Sequence, residues 1–201
     1  MFLQTPPALI LASTSTYRRA LLERLGIAFK CHAPGIDEQR APGEAGFAMA
    51  KRLALAKARA VAAQFPDAWV IGSDQVAAVG DGPVETLLGK PKTAEGCRGQ
   101  LRASSARTVR YLTAVTLLRH ADGQCRERLD TTQVRFRTLD DATIERYVER
   151  EAPLDCAGAF KSEGLGITLC TSIETQDPTA LIGLPLIALA GLLREVGFLV
   201  P

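Results

Sequence analysis

Leu9-Ile10-Leu11-Ala12-Ser13-Thr14-Ser15-Thr16-Tyr17-Arg18-Arg19 is the stretch on which the fold turns. An apolar run, read as a short buried strand from Ala8 to Ala12, gives way to four hydroxyl residues. A helix is expected from Arg18 to Leu25, with Leu21, Leu22 and Leu25 on one face and Gly26 as its stop. Two arginines then stand where the helix begins. A helix N-terminus carries partial positive charge, so arginine in the first turn is electrostatically misplaced. A local rule broken in this way marks a functional site. The simplest compensation is a bound anion, held by helix-start N–H groups, hydroxyls and guanidinium forks on phosphate oxygens.

Working outward, strands and helices alternate. Ile27 to Ala33 reads as a second strand and Glu44 to Phe65 as a long helix ended by Pro66. Trp69 to Gly72 reads as a buried strand that delivers Ser73-Asp74-Gln75. Gly80-Asp81-Gly82-Pro83 is a turn cluster. Thr93 caps a helix reaching about Ser104. Tyr111 to Leu118 and Glu127 to Thr138 form a hairpin through Asp122-Gly123, with Val134 and Phe136 facing inward. Asp140 to Arg150 and Pro185 to Val196 are further helices. The class is α/β: a mixed twisted sheet with flanking helices and two lobes around a central cleft. Residues 1–201 read as a single domain with no internal repeat.

The 201 residues suffice for one substantial core;. Net charge is +2, which gives no field for nonspecific nucleic-acid binding;. No apolar run approaches the roughly 18 residues that span a bilayer, and the first residues show no basic region followed by a long apolar one, so a secretory signal is not expected. The expectation is a cytoplasmic protein without nucleic-acid or membrane partners. Five scattered cysteines with no C-x-x-C pair read as free thiols;.

Asp74, just past a buried strand, can hold a metal, take a proton from water or cap a loop. Asp37-Glu38 can supply oxygens to Mg²⁺ or lie solvated. Lys57 in the long helix, Lys90 in Gly89-Lys90-Pro91 and Lys161 in a glycine-rich loop suit polyphosphate oxygens. For Lys57 a solvated helix face is the competing reading. Cys31 and His32 are adjacent on a strand and so point to opposite faces, which argues against a Cys–His pair. Carboxylates, lysines and arginines thus point to a metal-dependent phosphate enzyme.

These segments together resemble the Maf family of nucleotide pyrophosphatases over nearly the whole chain. The resemblance rests on Leu9 to Ser15 with Arg18-Arg19, Asp37-Glu38, Lys57-Ala58, Gly72-Ser73-Asp74-Gln75 and Gly89-Lys90-Pro91. It continues through Cys156 to Gly164 and ends at Gly183-Leu184-Pro185-Leu186. Ser73-Asp74-Gln75-Val76 and the run Phe160 to Gly166 are similar to the YceF-like branch, which is associated with 7-methyl-GTP. The resemblance implies hydrolysis of a nucleoside triphosphate to monophosphate and pyrophosphate, a divalent cation (Mg²⁺ or Mn²⁺) and a homodimer. It implies Asp74 as proton acceptor and Tyr17, Gln75 and Glu163 as base-selecting residues. It places Ser13, Arg18, Lys57, Lys90 and Lys161 on phosphate, and Glu38 with Asp74 on the metal. Alternatives are a pyrophosphatase for dTTP, UTP or other nucleotides, and a non-catalytic nucleotide-binding regulator of cell division. Gly80 to Leu88 is longer than is usual for the branch.

Overall fold

The apolar run ahead of the hydroxyl loop forms β1 (Leu9–Leu11), buried at all three positions. In the computed structural model, which describes residues 7–80 and 85–201, β1 lies between two parallel partners. One is β2 (Lys30–Cys31); the other is β3 (Trp69–Val79), with Leu9 opposite Trp69 and Leu11 opposite Ile71. β5 (Thr108–Arg119) runs antiparallel along all of β3. β6 (Cys125–Phe136) and β7 (Cys170–Glu174) extend the sheet, and β4 (Thr86–Leu88) pairs with the far end of β3. The seven-stranded sheet, ordered β2-β1-β3-β5-β6-β7 with β4 on β3, is mixed, as the alternating pattern and the hairpin lead one to expect;.

Helices cover it according to their apolar stripes. α1 (Thr16–Glu23) and α5 (Leu186–Glu195) place Leu21, Leu22, Leu189 and Leu193 against Leu11, Ile71 and Leu117. α2 (Gly46–Ala62) lies on the opposite face, with Ala58 and Val61 over Ile10 and Val70. α3 (Ala94–Ser104), capped by Thr93 as expected, and α4 (Asp141–Glu151), capped by Asp140, close the other end with Leu101, Ile144 and Tyr147 against Val109, Tyr111 and Phe136. The apolar side chains therefore gather at the β1 end and at the β4–β7 end, and the two lobes meet over the middle of β3.

Among the boundaries that differ from expectation, three bear on the site, the first and third for a tertiary reason and the second for a local one. The strand expected over Ile27 to Ala33 shrinks to Lys30–Cys31, because β1 offers only Ile10 and Leu11 as partners. α1 begins at Thr16 rather than Arg18, because the Ser15 hydroxyl caps it by accepting the Arg18 N–H at 3.4 Å. The strand that reads as ending at Gly72 runs on to Val79, because β5 supplies a partner at every position. β4 and β7 have no counterpart in the expected elements. The turn expected at Gly80-Asp81-Gly82-Pro83 falls mostly on 81–84, outside the described residues.

The third difference creates the site. β1 and β4 share one edge of β3: β1 reaches Ile71 and β4 starts at Ala77. Between them, residues 72–76 are paired only with β5. Gly72 opens this gap and also lets α2 approach. A Cβ there would fall 2.1 Å from the Ala54 carbonyl oxygen and 2.7 Å from the Ala58 nitrogen, so only glycine fits;. That close approach sets the next α2 side chain on this face, Lys57, over the strand.

Candidate active site

Ser73, Asp74 and Gln75 occupy the gap, and alternation along the strand sends Asp74 to the face opposite its two neighbours. Asp74 meets α2, where its Oδ1 accepts a hydrogen bond from Lys57 Nζ at 2.6 Å. The same ammonium holds Glu38 Oε1 at 2.7 Å, from the loop after β2. Lys57 is 4% exposed and Asp74 6%. Lys57 is thus neither on a solvated helix face nor free for phosphate in this state; it bridges two carboxylates. Oδ2 of Asp74 makes no hydrogen bond to the described residues and is left for a ligand. Burial raises the Asp74 pKa, and the charge and hydrogen bond of Lys57, with Arg18, do not fully offset it. Burial also pushes Glu38 up, but there Lys57, Lys90 and Arg18 outweigh it, and its pKa falls below the ordinary range.

These two acids sit in a cleft of about 440 Å³ lined also by Arg18, Arg40, Gln75, Lys90 and Lys92. Arg18 comes from the first turn of α1, where no acidic residue offsets the helix dipole. Its Nε donates to the Gly183 carbonyl at 2.8 Å, and neither Nη has a partner among the described residues. Burial lowers the Arg18 pKa against the pull of Asp74 and Glu38, yet a guanidinium stays charged;. Arg19 pairs instead with Glu23 at 2.9 Å on the exposed side of α1. Arg40 and Lys92 were not singled out from the sequence. The Arg40 loop is braced by Arg52, which grips Glu44 with two hydrogen bonds of 2.6 and 2.7 Å, while Arg40 Nε donates to the Glu44 carbonyl at 2.8 Å. Lys92 has φ +63°, a left-handed conformation held by its N–H on the Leu154 carbonyl at 3.0 Å. Strain at a non-glycine residue in a cleft is a signal that only coordinates reveal.

The other expected residues divide. Ser13 is buried, does not line the cleft, and folds its own loop by accepting the Ser15 N–H at 3.1 Å. Lys161 is held by Glu151 at 2.7 Å and Glu151 also accepts the Leu165 N–H at 2.6 Å, so this ion pair shapes the 161–165 turn. Tyr17 lies near that turn: burial raises its pKa, as do the neighbouring Cys156, Asp155 and Glu163, while Lys161 lowers it. Lys161 and Glu163 thus lie within electrostatic reach of Tyr17, and none of the three lines the cleft. Gln75 does line the cleft, but its Nε2 is spent on the carbonyls of Ala180 and Leu181, both at 2.9 Å, and on the Thr113 hydroxyl. His32 packs edge-on against Phe65 and the exposed His120 sits at the β5–β6 turn. The Cys156 thiol is pushed up to about 12 by burial and cannot serve as a thiolate near neutrality;.

Cations without carboxylate partners among the described residues therefore surround a pair of carboxylates that share one ammonium, the arrangement of an enzyme that handles phosphoanhydrides. Residues 8–196 match the family model described as Maf-like protein, and the chain belongs to the Maf family. It is 57% identical over 197 residues to a 7-methyl-GTP pyrophosphatase of Xanthomonas axonopodis pv. citri, covering 97% of this chain and 100% of that one. Proteins of the same description from Aromatoleum aromaticum and Pseudomonas fluorescens are 51% identical (96% of this chain, 97% of the other) and 48% identical (96% and 98%). Among solved structures, the Staphylococcus aureus Ham1 protein gives a TM-score of 0.44 at 14% identity over 64% of this chain and 71% of that one. No described helix is long and apolar enough to cross a membrane.

Proposed function

We propose that the cleft hydrolyses a nucleoside triphosphate, 7-methyl-GTP, to the monophosphate and pyrophosphate. The observation that carries this reading is the buried Asp74 carboxylate, with one oxygen fixed by Lys57 and the other open to a cation-lined cleft. The raised Asp74 pKa moves its basicity toward neutrality, which improves a general base;. Asp74 Oδ2 takes a proton from water as the water oxygen bonds to the α-phosphorus. The bond from that phosphorus to the α–β bridging oxygen breaks, and its electron pair leaves with pyrophosphate. Arg18 and Lys90 neutralise the phosphate oxygens during this displacement, where positioning and charge supply most of the catalysis.

Two carboxylates that converge on one cation offer hard oxygen donors, which fits Mg²⁺ or Mn²⁺. Among the described residues no group of three or more acidic, histidine or cysteine side chains converges, so Glu38 and Asp74 would leave further positions to phosphate and water. Such an ion, when bound, adds charge neutralisation and acidifies a bound water.

The surroundings of Tyr17 suit a methylated guanine. That base is cationic, and a cation over an aromatic face gains about 0.5–2 kcal/mol. Asp155 and Glu163 add negative charge around the ring. Glu163 accepts from the guanine N1–H and exocyclic amine, a pairing that pyrimidines lack. Glu163→Gln is expected to lower the ratio of kcat/KM for 7-methyl-GTP over that for UTP by about tenfold or more, since charged hydrogen bonds contribute about 1.5–3 kcal/mol. An unchanged ratio removes Glu163 from base selection. The wider reading is tested by a panel of 7-methyl-GTP, GTP, dTTP and UTP with Mg²⁺ or Mn²⁺, with detection of pyrophosphate. Release of single phosphate overturns attack at the α-phosphorus, and preference for dTTP or UTP overturns the substrate. We extend to this chain the homodimer that the family resemblance implies and the cytoplasmic location expected from its scattered free thiols.

A further inference from the structure

We infer that the Gly183 carbonyl, held by the Ser73 hydroxyl, is the element that aims Arg18 into the cleft, so Ser73 is a positioning residue for the phosphate-binding arginine. The inference rests on the reading of Arg18 as a phosphate ligand.

The Gly183 carbonyl oxygen accepts from Arg18 Nε at 2.8 Å and from Ser73 Oγ at 2.9 Å. Ser73 is fully buried, and its single hydroxyl proton is shared between Gly183 and the Ala114 carbonyl at 2.8 Å;. A guanidinium has five N–H donors in a fixed plane. With Nε pinned, the plane is set and the two Nη groups form the fork offered to an anion. Gly183 has φ +115°, which other residues rarely adopt, so the carbonyl direction depends on glycine;. A Cβ would lie 3.4 Å from Arg18 Nε, an ordinary contact, so backbone conformation rather than space demands the glycine.

The segment that presents this carbonyl is tied down on both sides. Gln75 Nε2 and Thr113 Oγ1 donate to the Ala180 carbonyl, each at 2.9 Å. Asp177, 3% exposed, accepts from Thr179 N and Oγ1 and from the Ile187 and Ala188 N–H groups that start α5. Ser73 and Gln75 thus fasten the 180–183 segment from one face of β3, while Asp74 faces Lys57 from the other. One strand therefore fixes the proton acceptor and the phosphate-binding arginine in a common register. Gln75, on this geometry, belongs to the same frame.

The test is a double-mutant cycle of Ser73→Ala with Arg18→Ala. It reads kcat and KM for 7-methyl-GTP with Mg²⁺, the Kd of inorganic pyrophosphate by calorimetry, and Tm. Ser73→Ala is expected to lower kcat/KM and weaken pyrophosphate by about tenfold in the native background, the scale of one hydrogen bond. In the Arg18→Ala background it is expected to change either by less than about twofold, because residues that act as a unit are non-additive. Gly183→Ala, which disturbs the same carbonyl by another route, is expected to show the same pattern. Equal losses in both backgrounds overturn the inference, as does a fall in Tm with kcat/KM and pyrophosphate affinity unchanged. If the native protein hydrolyses no nucleoside triphosphate, the proposed function falls, and the pyrophosphate arm still decides whether Ser73 acts through Arg18.

Discussion

Asp74→Asn is expected to reduce kcat by about 10²–10⁴-fold, the usual contribution of a general base, with a change in thermal stability that is more favourable near neutral pH than in acid. The two effects have one cause. Burial raises the Asp74 pKa, so the folded protein holds that proton more tightly than the unfolded chain does. The stability this adds is complete below the unfolded pKa and is lost as pH rises through the folded value. At neutral pH the ionised carboxylate therefore counts against the fold. Asparagine keeps an acceptor for Lys57 and removes the charge. The Tm difference between variant and native protein is expected to favour the variant more at pH 7 than at pH 4. Retention of more than a tenth of native kcat rules out Asp74 as the base. The same variant separates an enzyme from a binding regulator: a cellular effect that survives Asp74→Asn does not depend on hydrolysis.

Lys57→Met is expected to destabilise the protein by about 3–5 kcal/mol, the range found when one partner of a buried ion pair is removed. The ammonium is 4% exposed and serves both Asp74 and Glu38, so its loss leaves two carboxylates facing each other without the cation that bridges them. The Asp74 pKa then rises further, since the two groups that lower it most are the charge and the hydrogen bond of Lys57;. The acid limb of the kcat/KM profile moves to higher pH, and urea denaturation reports the stability. A variant with native stability and an unmoved acid limb places Lys57 in direct phosphate binding instead, the role the family resemblance implies.

Much of the fold is legible in the chain because the signals are local. The Leu9 to Leu11 run, the Thr93 and Asp140 caps and the alternation of Val134 and Phe136 with Gln133 and Arg135 each rest on neighbours in sequence. The ends of strands are not local. β3 stops at Val79 rather than Gly72 because β5, some forty residues on, pairs with all of it. Of the expected site residues, Arg18, Glu38, Lys57, Asp74, Gln75 and Lys90 do meet in one cleft. Arg40 and Lys92 join them from loops whose shape depends on Arg52 and on the Leu154 carbonyl, contacts that no spacing encodes.

By itself the sequence determined that Arg18 would stand in the first turn of a helix after a buried strand, with an acidic residue just past the end of another buried strand. Helix dipoles and apolar runs act over a few residues, so that much follows from residue order alone. Only the tertiary structure decided that Asp74 is accessible in mid-strand, because β1 and β4 leave the same edge of β3 open around it. It also decided that Lys57 is shared by two acids and that Arg18 Nε bonds to a carbonyl 165 residues away. The physical reason is that hydrogen-bond direction and burial depend on which segments the sheet brings together, and these contacts join residues far apart in the chain.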